Sequence, residues 1–160
     1  MKKIILFILL SNFLSSNAQT EKETINFLNS MFDSYCTPMS MNETATFNLT
    51  TQIESRSNKK ILIFDQILNG KSFATYKIHP EHVSSIFSDL NRGKYTYIEI
   101  ISNEGLILRK WTGESEETFQ KEIRIPLTNS TDEVVRIKKA LTHLLKINGK
   151  KIPDDNLFKN

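Results

Sequence analysis

One cysteine, one tryptophan, four prolines and five glycines in 160 residues remove several explanations before any pattern is read. A lone Cys36 makes no internal disulfide, so the fold must rest on a packed core. A free thiol in an oxidising compartment is expected to be buried, here on the first helix. The scarce glycines form neither a Gly-x-Ser-x-Gly elbow nor a phosphate-binding loop, and no two histidines have the one-turn spacing of a zinc protease. Acidic and basic residues nearly balance at a net charge of +3, which gives no reason to expect nucleic acid or another polyanion as partner. There is no internal repeat, low-complexity tract or interdomain linker. No cofactor motif is present, and no cofactor is expected.

What is present begins with a leader. Lys2 and Lys3 precede the apolar run from Ile4 to Leu10, and Ser16-Asn17-Ala18 puts small residues at the two positions that determine cleavage. A signal over residues 1–18, cleaved before Gln19, predicts a secreted or periplasmic protein. Even counted to Leu14, the run is too short and too interrupted by Ser11 and Asn12 to cross about 30 Å of hydrocarbon. No transmembrane segment is therefore expected after signal removal. Cys36 lies too far inside the chain to be the N-terminal cysteine of a lipoprotein. Residues 19–149 then make one domain, able to bury about two thirds of its unfolded surface. Residues 150–160 form a polar tail, expected to be poorly ordered.

Helical periodicity marks both ends of the domain. Ile25, Leu28, Phe32 and Tyr35 form an apolar stripe on Glu21 to Cys36, with Met31 alongside and a Thr20-x-x-Glu23 capping box; Pro38 stops it. Val134, Ile137, Ala140, Leu141, Leu144, Leu145 and Asn148 share one face of a second helix, Ser130 to Asn148, leaving Arg136, Lys138, Lys139, Thr142 and Lys146 on the others. A Ser130-x-x-Glu133 box starts it and Gly149 ends it. Between them lie strands at 44–55, 60–68 and 71–78, the last two joined by Asn69-Gly70, whose residue types suit a type I′ turn. Val83, Ile86, Phe87 and Leu90 suggest a short helix or turn over 81–90. Strands follow at 94–102, 106–112 and 118–127, the last with Phe119, Lys121, Ile123, Ile125 and Leu127 on one face. Strand runs joined by tight turns predict an α+β domain. Its antiparallel sheet or partly closed barrel has about six strands, with an N-terminal helix and a C-terminal amphipathic helix packed on the sheet.

Short antiparallel strands closed by one amphipathic C-terminal helix resemble the pleckstrin-homology-like superfold over residues 44–148. The chain departs from it in counting six strands rather than seven and in having no tryptophan on the closing helix. The resemblance implies a bent sheet plugged by that helix. It draws attention to Arg56, Lys59 and Lys60, between the first two strands, where lipid-binding members carry basic residues. The leader and overall pattern also resemble small secreted bacterial proteins.

Three groups of residues have the chemistry for a site. His79, Glu81 and His82 offer two imidazoles and a carboxylate to a divalent metal if the turn gathers them, although no nearby motif supplies a further ligand. Tyr95, Tyr97 and Trp111 would make a platform for a glycan or peptide if they shared an outer sheet face, or core packing if they lay under a helix. Arg56, Lys59 and Lys60 form a basic surface. The lysines of the last helix, continued by Lys150 and Lys151, face either solvent or anionic headgroups. Cys36 and His143 are the remaining thiol–imidazole pairing, without the electropositive surroundings of a catalytic thiol. Three Asn-x-Ser/Thr matches, at Asn42, Asn48 and Asn129, matter only in a eukaryotic secretory pathway. The reading is an exported, non-catalytic binding domain whose partner is a protein, peptide or glycan of the cell envelope. The alternative is a secreted hydrolase or metal-binding protein that uses the His79/His82 turn.

Overall fold

Thr20 opens the first helix: its side-chain oxygen accepts the Glu23 amide at 3.2 Å and its own amide donates to the Glu23 carboxylate at 2.8 Å, the reciprocal box read from the sequence. Those bonds, led by the one from the Thr20 backbone, hold the Glu23 carboxyl below its usual range. The helix, α1, spans Glu21–Tyr35 in a computed structural model that describes residues 20–37, 47–57, 59–89, 95–128 and 131–150. The expected leader, Pro38, the strand start at 44–46, Leu90, Lys94, Ser130 and residues 151–160 lie outside the described residues. Leu28, Met31 and Phe32 are buried on α1, and Ile25 and Tyr35 pack beside them. Cys36 is not on the helix but caps it in extended conformation, its amide donating to the Phe32 carbonyl. From there the chain bridges to Leu127, and the Thr37 amide donates to the Pro126 carbonyl at 3.2 Å.

Two hairpins follow, made by β1 (Phe47–Arg56), β2 (Lys59–Leu68) and β3 (Lys71–Ile78). Asn69 and Gly70 have φ of 51° and 74°, both in the left-handed region that a type I′ turn requires. Glycine takes such a value without a Cβ penalty. The expected element at 81–90 divides into a 3-10 turn at Pro80–His82 and a strand, β4 (Ser85–Asp89). Helical spacing fitted its apolar residues, but Ile86 is buried and Phe87 exposed; that alternation is realised once the segment pairs with β5 (Tyr95–Ile101).

The segment at 118–127 divides as well. β6 (Ile107–Trp111) pairs with β7 (Thr118–Gln120), whereas β8 (Glu122–Thr128) pairs with β5, so the chain changes sheets at Lys121. Phe119, expected on the apolar face, is 68% exposed, and Ile123, Ile125 and Leu127 are fully buried. Among the described residues there are eight strands in two antiparallel sheets, ordered β1-β2-β3-β6-β7 and β4-β5-β8, where the sequence suggested about six.

The last helix, α2 (Thr131–Ile147), buries Val134, Ile137, Ala140, Leu141, Leu144 and Leu145, the predicted stripe. Thr142, expected on an outer face, is 9% exposed and belongs to the buried side. At the C-terminus the Gly149 amide donates to the Lys146 carbonyl and the Lys150 amide to the Leu145 carbonyl, with Gly149 at φ 93°. This is the Schellman arrangement that satisfies final-turn carbonyls. α2 packs on α1 and on β4 and β5, while α1 also packs on β1 and β8, so both sheets and both helices share one core. Among the described residues, no helix is long and apolar enough to cross a membrane.

Candidate functional site

A bulge in β3 builds the site with the most distinctive chemistry. Ala74 pairs with Gln66 and Ser72 with Ile67, leaving Phe73 without a ladder partner; such an extra residue bends the strand and re-aims side chains. The Phe73 ring meets Trp111 edge-on, with centroids 4.8 Å apart and planes at 75°. Arg109 and Trp111 are two residues apart on β6 and therefore share a sheet face. The Arg109 guanidinium carbon lies 4.7 Å from the Trp111 ring centroid, a cation–π distance.

Opposite Arg109 in the ladder is Tyr76, whose hydroxyl donates to the Gln66 side-chain oxygen at 3.3 Å. Burial pushes the Tyr76 phenol up, opposed by the Arg109 charge and by bonds with Gln120 and Gln66. Arg109 Nε is buried and has no hydrogen-bond partner among the described residues. A buried donor without an acceptor costs about 1–3 kcal/mol, more for a charged group. Trp111 is half-buried and Phe73 is 41% exposed, so the arrangement runs from the core to the surface. It offers ring faces and edges beside a guanidinium, over a buried amide–phenol pair.

Of the residues singled out in the sequence, only Trp111 belongs to this corner. Tyr95 and Tyr97 lie on β5 in the three-stranded sheet, and Trp111 on β6 in the five-stranded one, so the three do not share a face. Phe73, Tyr76 and Arg109 were missed. The alternation Arg109-x-Trp111 was legible as a shared face, but the bulge that brings Phe73 to it is a product of pairing.

The other two groups meet each other. Lys59, Lys60, His79, Pro80 and Glu81 line a cleft of about 180 Å³ with Asn148 and Gly149. Its cations are already engaged: Lys59 Nζ is 3.4 Å from Glu81 Oε1 and Lys60 Nζ is 3.0 Å from Glu21 Oε2. Arg56 stands exposed opposite Lys59 in the β1–β2 ladder. His79 Nδ1 is 3.0 Å from the Lys60 carbonyl, and its ring is 5.5 Å from that of His82. His82 Nε2 lies 3.7 Å from Glu81 Oε1. Among the described residues, no group of three or more His, Cys, Asp and Glu side chains is arranged to hold a metal ion. Burial pushes the Cys36 thiol up to about 12, the opposite of an activated nucleophile.

Comparison with protein-family models, with curated proteins and with solved structures finds no match to this chain.

Proposed function

We propose that the protein is an exported, non-catalytic binding domain that takes a peptide or glycan of the cell envelope at the Phe73–Arg109–Trp111 corner. The observation that carries this reading is the partly exposed stack of Phe73, Trp111 and the Arg109 guanidinium. The guanidinium offers donors to a peptide carbonyl or a sugar hydroxyl, and Phe73 and Trp111 receive the apolar side of the ligand. The leader pattern over residues 1–18 supports export.

Trp111 is the only tryptophan, so its emission reports on the corner directly. Titration with soluble cell-wall glycans and with peptides is expected to shift it saturably. Arg109→Gln should weaken that response, and Phe87→Ala, on the other sheet, should leave it unchanged. A flat response across a varied panel overturns the site. Export is tested separately by intact mass: native material should begin at Gln19, and a protein retaining Met1 would refute the leader.

A further inference from the structure

The groove between the two helices holds a second, separate chemistry. Where α1 and α2 pack, a cavity of about 360 Å³ is lined by Phe27, Arg136, Lys139, Ala140 and His143, a volume within the usual range of roughly 300–1,000 Å³ for small-molecule sites. Arg136, Lys139, Ala140 and His143 occupy positions i, i+3, i+4 and i+7, so they form a single stripe along α2. Two of the lining side chains carry fixed positive charge and none is acidic. The Arg136 guanidinium carbon lies 5.4 Å from the Phe27 ring centroid. Stacking uses the face of the guanidinium and leaves its in-plane N–H groups, the fork that grips a carboxylate or phosphate with two parallel bonds. Phe27 packs partly buried against the core, and the small Ala140 side chain leaves space beside it.

We propose that this groove binds a free, single-chain anionic amphiphile. Arg136 and Lys139 take its carboxylate or phosphate head, and the apolar part lies against Phe27 and Ala140. Charge complementarity selects the anion. The same surface does not suit insertion into a membrane, which needs a continuous apolar face; the exposed large apolar residues of α2 are only Val135 and Ile147, twelve positions apart.

The test uses the full chain with decanoate and decyl phosphate below their micellar concentrations, and with decyl maltoside as the neutral control. Calorimetry should show saturable, salt-weakened binding of both anions and none of the maltoside. The double variant Arg136→Gln, Lys139→Gln, with helix content checked by circular dichroism, should lose at least tenfold in affinity. Ala140→Leu should fill the groove and abolish anion binding, while the Trp111 response to its own ligand persists. Absence of saturable anion binding, equal binding of the neutral amphiphile, or unchanged affinity in the double variant would each overturn the proposal. So would tight binding to phosphatidylglycerol vesicles that decanoate does not compete, which assigns the cations to a membrane surface.

Discussion

Asn29 holds the backbone of Thr51 at both polar groups: its Oδ1 accepts the Thr51 amide at 2.7 Å and its Nδ2 donates to the Thr51 carbonyl at 3.2 Å. β1 is a terminal strand of the five-stranded sheet, and terminal strands expose unpaired N–H and C=O groups to passing chains. The side chain of a helix residue thus completes the ladder as a neighbouring strand would. Asn29→Ala removes both bonds at once, and we expect a loss of about 1–3 kcal/mol in denaturant unfolding. Sedimentation should also show new association, because an edge has been uncovered. A variant as stable and monodisperse as the parent would show that the pairing is incidental.

The Thr51 side chain predicts the opposite sign. Its hydroxyl oxygen is buried without a hydrogen-bond partner among the described residues, in a residue only 2% exposed. Thr51→Val keeps the branched shape and removes the unsatisfied oxygen, so stability should rise by about 1 kcal/mol. A fall of the unfolding midpoint would mean that the hydroxyl is satisfied in solution.

Leu141 sits at the centre of the buried face of α2 at 1% exposure. Leu141→Ala leaves a cavity and should cost about 2–5 kcal/mol of a total that is typically only about 5–15. Lys139→Ala, on the exposed face of the same helix, should change stability by no more than about 0.5 kcal/mol. Equal melting of the two variants would remove α2 from the core.

Cys36 gives the pH dependence. As a whole the residue is half-buried, but desolvation raises its thiol from an ordinary 9.0 to about 12. Between those values the unfolded chain releases the proton and the folded chain keeps it. The stabilisation is therefore complete below about pH 9 and is lost as pH rises, by at most about 1.4 kcal/mol per unit. Unfolding followed from pH 8 to 11 should show this slope in the parent and a shallower one in Cys36→Ala. A disulfide reagent at pH 8 should label the unfolded chain far faster than the folded one; equal labelling would contradict the burial.

What the sequence made legible was local. Thr20 and Glu23 are three residues apart and need only each other to form a box. Asn69-Gly70 carries its own dihedral preference, and the α2 stripe repeats over about three turns. Those features appear as read, as does the α+β class. Lys121 was not legible as a break, because the alternation from Phe119 to Leu127 continues unaltered through it; only the identity of the pairing strands, β6 on one side and β5 on the other, divides it. β4 was hidden for the same reason, since pairing with β5 decides between two periods in five residues. The candidate site suffers most from this limit. Phe73 reaches Trp111 through a register shift between β2 and β3, and no spacing in the sequence records a register.

The contact of Cys36 with Leu127, and the bond from the Thr128 hydroxyl to the Tyr35 carbonyl across 93 positions, set an order on synthesis. α1 emerges before the strands and meets β1 early, but its partners on β8 and α2 are the last elements made. Contacts this distant in sequence form late and slowly. Until those last elements are released, α1 and the first hairpins have only part of the core to close against. The complete core is thereby deferred by the topology itself until the whole molecule is available.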